Sequence, residues 1–213
     1  MQSKDYLHSL FGCQGRKAVV TGASSGLGMA GVLASAGADV LIVARRAERL
    51  ETLAAELQHC EGAVHTFSAD LSDSSAIASL AEESQHQLGG CDILVANAGT
   101  ANRVRLETMS EEDFTAVMDL NLKAQWLLAK ALFSQLCQSA TGRIVNIASI
   151  YGLGASVVNG LGAYTVSKHA LVGLTRTQAV EWARHGITAN AIAPSYFPTE
   201  LTETALEDET MST

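Results

Sequence analysis

Tyr164 and Lys168 stand four residues apart in a stretch of helical period, so their side chains share one helix face and can act on one small molecule. A free phenol titrates near pH ~10 and exchanges protons poorly at neutrality; an ammonium group about 4–6 Å away favours the phenolate and lowers that value. Tyr164 is then expected to give a proton to a carbonyl oxygen being reduced, or to take one from an alcohol being oxidised. Ser149 ends the fifth apolar run and can hydrogen-bond the same oxygen, where charge develops. Tyr151 is closer to Ser149, but the residue four further on is Ala155; it lacks the cation and is set aside as the acid. Each residue alone has a structural reading, because a serine at a strand end caps a turn and an asparagine such as Asn121 in a long helix faces water.

A second constellation begins after the first apolar run, where Thr21-Gly22-Ala23-Ser24-Ser25-Gly26-Leu27-Gly28 leads into a helical stretch. Glycines there let the backbone turn sharply and approach a pyrophosphate, whose charge is met by free N–H groups. The context of strand, turn and helix favours a dinucleotide over a plain tight loop. At the end of the second run, 17 residues after Gly28, Arg45 and Arg46 occupy the place where an acid would grip the ribose of NAD. A basic pair suits the 2′-phosphate of NADP, so NADP is expected over NAD. Asp70 follows the third run and Asn97-Ala98-Gly99 the fourth, where α/β sheets bind their ligands.

The elements that must position these residues follow from periodicity. Six short apolar runs predict strands at Lys17 to Thr21, Asp39 to Ala44, Ala63 to Phe67, Asp92 to Ala96, Arg143 to Ala148 and Ile187 to Ile192. Between them the spacing predicts helices at Gly26 to Ala36, Ala47 to Gln58, Ser74 to Gln87, Glu111 to Gln138 and Tyr164 to Arg184. Strands with almost no polar alternation are buried on both faces, which predicts a doubly wound, Rossmann-like α/β domain of three layers around a parallel sheet. Ser110 with Asp113 three residues on predicts a capped helix start, and Gly37 and Gly186 predict left-handed helix ends.

Composition bounds the function. The 213 residues carry a net charge of −8, which argues against a nucleic-acid partner, and 47% apolar with 17% charged residues suits one globular domain. Cys13, Cys60, Cys91 and Cys137 form no CxxC pair, and the six histidines have no metal-ligand spacing, so neither a disulfide framework nor a metal is expected. No run resembles a membrane span or a signal-peptide core, which predicts a cytoplasmic protein without a membrane partner. Trp126 and Trp182 are expected to pack a core or a subunit interface.

Taken together, the sequence resembles the short-chain dehydrogenase/reductase family. The matching residues are Thr21 to Gly28, Asp70-Leu71, Asn97 to Gly99, Asn121 in DLNLKAQ, Ser149 in IVNIAS, Tyr164 with Lys168, and Asn190 to Pro194 with Thr199. The resemblance implies Asn121, Ser149, Tyr164 and Lys168 as the catalytic set, with Asn121 holding a water in a proton relay and Lys168 also meeting the nicotinamide ribose. It implies cofactor contacts from Gly22, Ser24, Ser25, Gly26, Leu27, Gly28, Arg45, Arg46, Asp70, Leu71, Asn97, Ala98, Gly99, Tyr164, Lys168, Pro194, Phe197 and Thr199. A homodimer or homotetramer through the helices carrying Asn121 and Tyr164 is also implied.

Family members usually run on past the equivalent of Thr199 into a substrate lobe and a seventh strand. Six strands are therefore expected, with the sixth left as an apolar edge and activity open to doubt. The helix after Gly28 is about two residues shorter than family custom, and Ser195 replaces a usual glycine, which would be strained if that position needs positive φ. The leading expectation is an NADP(H)-dependent oxidoreductase acting on a secondary alcohol or ketone. The segment PSYFPTELT at Pro194 to Thr202 resembles the sugar-acid branch, with a substrate such as gluconate. Arg103 and Arg105 are candidate partners for a substrate carboxylate, although a solvated loop explains them equally well. The alternatives are a 3-oxoacyl carrier-protein reductase, whose acidic partner a −8 chain would repel, and an NADP-binding protein or fragment without turnover.

Overall fold

The structure, a computed structural model, describes residues 10–26, 28–156 and 159–197. Six parallel strands form one sheet: β1 (Lys17–Thr21), β2 (Asp39–Ala44), β3 (Val64–Ser68), β4 (Ile93–Ala96), β5 (Arg143–Ile147) and β6 (Thr188–Ile192). Their order is β3-β2-β1-β4-β5-β6, with β6 at one edge. β1 pairs with both β2 and β4, so the chain winds outward in opposite directions and the loops after β1 and β4 part above the sheet. A crevice at such a switch point is where ligands bind in this architecture.

The missing polar alternation in β1 has its explanation in two cores. Val19 packs on one face with Leu41, Leu94 and Ile144 against Leu80, Leu128 and Leu136, while Ala18 and Val20 pack on the other with Val40 and Ile42 against Ala34 and Leu50. The first face is covered by α3 (Ser74–Leu88), α5 (Ala124–Ala131), α6 (Phe133–Gln138) and the end of α7 (Gly162–Trp182); the second by α1 (Met29–Ser35) and α2 (Ala47–Glu56). Trp182 packs on Phe133, with ring centroids 4.9 Å apart, whereas Trp126 is half exposed beside Lys130.

All six strands lie within one residue of their predicted bounds at either end. The helices depart in two places. The first begins at Met29, not Gly26, because Gly26 and Gly28 take φ of 112° and 66°, outside the right-handed helical region. The predicted helix from Glu111 to Gln138 is interrupted: α4 (Glu111–Met118) passes through a π turn at Asp119–Lys123 before α5, and a break at Leu132 separates α5 from α6. Ser110 caps α4 as expected, its Oγ accepting the N–H of Asp113 at 3.0 Å. Gly37 and Gly186 have the expected positive φ.

Thr21 ties the first half of the sheet to the second. Its buried Oγ1 accepts the N–H groups of Asn97 and Ala98 at 3.0 and 3.1 Å, at the point where β1 and β4 diverge. Replacing it with valine keeps the shape but takes the acceptor from the Ala98 N–H, a loss of about 1–3 kcal/mol, while the Asn97 N–H keeps the Val95 carbonyl at 3.1 Å. Thr21→Val is expected to lower the unfolding free energy by at least ~1 kcal/mol in a urea titration; an unchanged midpoint would contradict this role for the hydroxyl.

Candidate active site

Ser149 leaves β5 in extended conformation and points its hydroxyl into a cleft of about 280 Å³ at the C-terminal ends of β1, β4 and β5. Tyr164 and Lys168, one turn apart on α7, line the same cleft together with Asn97, Gly99 and Pro194. Ser149 Oγ accepts the N–H of Tyr151 at 3.2 Å, and the Ser149 side chain is also hydrogen-bonded to Tyr164. The serine therefore caps a turn and meets the phenol at once, so its structural and chemical readings are compatible.

Lys168 is 4% exposed; its Nζ donates to the carbonyl of Ile147 at 2.7 Å and lies 5.5 Å from the centre of the Tyr164 ring. Burial pulls its pKa down to about 8, because an ammonium loses its hydration there. Burial also pushes the Tyr164 phenol above its ordinary value, an effect that the Ser149 hydrogen bond opposes and the neighbouring Tyr151 reinforces. This departs from the expectation that Lys168 would leave Tyr164 more acidic than a free phenol: desolvation outweighs the hydrogen bond in setting the direction.

Asn121 is wholly buried, contrary to the solvent-facing role of most helical asparagines. Its Nδ2 donates to the carbonyl of Thr100 at 2.9 Å and to Ser167 Oγ at 2.9 Å, and its Oδ1 accepts the N–H of Thr100 at 2.8 Å. A Cβ on Gly99 would stand 3.2 Å from Asn121 Oδ1 and 3.6 Å from Lys168 Nζ, so all three residues converge at one point of the cleft wall.

A second cleft, of about 310 Å³, continues from the first across Gly22, Ser25 and Gly99. Ser24, Arg45, Arg46, Asp70, Leu71 and Ala98 line it. Gly22 admits no side chain: its φ is 64°, and a Cβ there would lie 2.8 Å from Ala98 Cα. The Asn97 side chain donates to the carbonyls of Thr21 and Gly22 at 3.0 and 3.2 Å, holding the glycine turn against β4. Arg46 reaches Ser24 Oγ at 3.3 Å across the mouth of the cleft. Asp70 accepts from the backbone and side chain of Ser72, and these bonds hold its carboxyl below the usual range, helped by the charge of Arg45. Gly26 lines the first cleft, while Gly28 starts α1 and lines a recess behind the turn.

Arg103 and Phe197 line the first cleft, whereas Arg105 is not among its lining residues and is exposed and paired with Glu107 at 3.4 Å. Leu27 and Thr199 lie outside the described residues. Ser195 needs no left-handed backbone, since no residue other than glycine has positive φ among the described ones; the strain it would have carried there does not arise. Two lining residues escaped the sequence reading in this role, Tyr151 and Tyr196, whose hydroxyls are hydrogen-bonded to each other. Ala155 at the position four beyond Tyr151 sets that tyrosine aside as an acid, and nothing in the spacing marks Tyr196.

Residues 16–210 match the short chain dehydrogenase family. The chain belongs to the short-chain dehydrogenase/reductase family. It is 38% identical to 2-dehydro-3-deoxy-D-gluconate 5-dehydrogenase of Bacillus subtilis over 96% of this chain and 80% of that protein. It is 35% identical to gluconate 5-dehydrogenase of Gluconobacter oxydans over 94% of this chain and 78% of that one. Among solved structures, one assigned as an NAD(P)-dependent gluconate 5-dehydrogenase from Beutenbergia cavernae, holding NADP at low occupancy, superposes with a TM-score of 0.87 at 38% identity, over 95% of this chain and 80% of that one. This short-chain dehydrogenase/reductase is thus an oxidoreductase of the class that acts on CH–OH groups with a nicotinamide cofactor. No helix among its described residues is long and apolar enough to cross a membrane.

The burial of Lys168 gives a signed prediction. A lysine titrating at about 8 when folded and near 10.5 otherwise binds fewer protons in the folded state over that interval, so unfolding free energy rises with pH there. Below pH ~8 the buried charge costs stability, on the order of 3 kcal/mol at most. Relative to Lys168→Met, the wild type is expected to gain stability between pH ~8 and ~10.5 in paired urea titrations. A pH-independent difference between the two proteins would contradict it.

Proposed function

We propose that this short-chain dehydrogenase/reductase is an NADP(H)-dependent enzyme that interconverts a secondary alcohol and a ketone on a sugar acid. The observation that carries the reading is the convergence of Ser149, Tyr164 and Lys168 on a cleft continuous with the one lined by Arg45 and Arg46. The sugar-acid assignment draws on the likeness to the gluconate-type dehydrogenases and on Arg103, the one arginine lining the cleft beside Tyr164.

The cofactor fits the residues present. Gly22 lets the turn after β1 pack against Ala98 at the wall of both clefts, Asp70 and Leu71 border the second, and the Arg45–Arg46 pair offers positive charge to a 2′-phosphate. Ser24, Ser25, Gly26, Asn97, Ala98 and Gly99 complete the wall, and Pro194 and Phe197 close the nicotinamide end. When bound, the nicotinamide supplies or accepts the hydride.

The remaining work falls to the chain's own side chains. Ser149 and Tyr164 hold the substrate oxygen from two sides, and Tyr164 gives its proton to that oxygen as a carbonyl is reduced, or removes one from the alcohol in reverse. Lys168, held by the Ile147 carbonyl, places positive charge beside the phenol and reaches toward the cofactor ribose. Asn121 secures the loop after β4 against the helix that carries Tyr164 and Lys168. Phe114, Trp126 and Val166 are exposed on the helices bearing or adjoining Asn121 and Tyr164, and a second copy of the chain covers them in a homodimer or homotetramer.

Tyr164→Phe is expected to lower kcat for gluconate oxidation by about 10²–10⁴-fold while NADPH binding, read by fluorescence, stays within twofold. Unimpaired turnover would remove Tyr164 from the chemistry. Arg45→Ala with Arg46→Ala is expected to weaken NADPH binding roughly 10–100-fold and leave NADH nearly unchanged, since each charged hydrogen bond contributes about 1.5–3 kcal/mol. Equal losses for both cofactors would refute the role of the pair. Because oxidation needs the phenolate and reduction the phenol, the oxidative rate is expected to climb with pH above neutrality and the reductive rate to fall.

A further inference from the structure

Tyr151 and Tyr196 come from different parts of the chain and meet at the wall of the catalytic cleft. Tyr151 sits in the short turn Ile150–Gly152 directly after Ser149 and is 8% exposed; Tyr196 follows β6. Their hydroxyls are hydrogen-bonded to each other, and their rings meet edge to face with centroids 6.3 Å apart at 83°. Both flanking segments are held. Ile150 N–H donates to the carbonyl of Pro194 at 3.0 Å, and Gly152 lies so close to α7 that a Cβ would stand 2.8 Å from the Lys168 carbonyl. The turn cannot drift without disturbing Ser149, whose hydroxyl accepts the Tyr151 N–H.

Tyr164 and Arg103 line the same cleft as this pair, and the charge of Arg103 acts on Tyr196. A molecule whose reacting oxygen lies between Ser149 and Tyr164 therefore presents the groups on its neighbouring carbons to the two phenols. Tyr151 is mostly hidden from water, and its hydroxyl is hydrogen-bonded to that of Tyr196. A substrate that enters between the phenols must replace the bond it breaks, which a hydroxyl or carboxylate can do and a hydrocarbon cannot.

We propose that Tyr151 and Tyr196 form a hydroxyl clasp that selects substrates carrying hydroxyl or carboxylate groups next to the reacting carbon and disfavours apolar alcohols and ketones. This rests on the oxidoreductase reading of the same cleft, and it concerns specificity, since neither phenol takes the proton that Tyr164 handles.

The test compares wild type, Tyr151→Phe, Tyr196→Phe and the double variant in NADP-dependent oxidation of D-gluconate, D-sorbitol and cyclohexanol. Phenylalanine keeps the ring contact, and a thermal melt within a few degrees of wild type identifies folded variants. Each single substitution is expected to lower kcat/KM for gluconate and sorbitol at least tenfold more than for cyclohexanol. The double variant should lose more than either single one, because each phenol supplies its own hydrogen bond to the substrate. Equal losses on all three substrates, no loss at all, or a wild type that prefers cyclohexanol would overturn the clasp. So would a wild type that neither binds nor oxidises the hydroxylated compounds. The sugar-acid assignment fails separately: a wild type that prefers sorbitol to gluconate, with Arg103→Met leaving that ratio unchanged, refutes it while a selective loss in the phenylalanine variants still upholds the clasp.

Discussion

Asn121 is sealed from solvent, so its amide must be bonded within the protein or cost stability. The partners come from two elements: both backbone groups of Thr100 in the loop after β4, and Ser167 on α7, whose hydroxyl in turn donates to the Tyr164 carbonyl. One side chain thereby fixes the Asn97-Ala98-Gly99 loop relative to the helix that carries Tyr164 and Lys168. The π turn at Asp119–Lys123 is the local device that allows it. Widening the helix by one residue per turn frees a carbonyl, and the buried Gln125 answers by donating to Leu120 at 2.9 Å and to Ala98 at 2.7 Å. The loop after β4 is therefore held twice from the same helix.

That rigidity governs the electrostatics. With the loop, β5 and α7 locked together, Tyr164 and Lys168 sit in a poorly hydrated wall, and burial disfavours the charged form of each. Ser149 adds a fixed dipole on the other side of the phenol without needing to reorganise.

Much of this was legible in the residues. The six strands could be placed because a sheet covered on both faces leaves continuous apolar runs, and the glycine turn, Arg45–Arg46 and the Tyr164–Lys168 spacing marked both clefts. What escaped depends on contacts distant in sequence or on backbone geometry without a signature. The π turn contains neither glycine nor proline, so nothing in DLNLK announces it. Arg103 and Arg105 look alike in sequence, yet Glu107 holds one at the surface while the other lines the cleft. The meeting of Tyr151 with Tyr196 spans 45 residues and is accompanied by the bond that Pro194 accepts from Ile150, neither of which leaves a mark in the sequence. The direction of the Tyr164 shift was missed for a similar reason, since helix spacing reveals the nearby cation but not how much water the fold excludes.

The distribution of charge bears on what such a cleft can receive. The chain carries −8 overall, yet among the described residues the lining of the two clefts gathers Arg45, Arg46, Arg103 and Lys168 against Asp70 as the one carboxylate. Screening confines the field of each charge to about 8–10 Å at ordinary ionic strength. A small anion inside the crevice is therefore governed by the local cations, whereas a large acidic macromolecule pressed against the outside meets the negative remainder of the surface. A cofactor with several phosphates and a substrate with a single carboxylate satisfy that arrangement together. An acyl chain delivered by an acidic carrier protein satisfies it poorly, because its carrier would have to dock on the repulsive exterior while its reactive end reaches the basic interior.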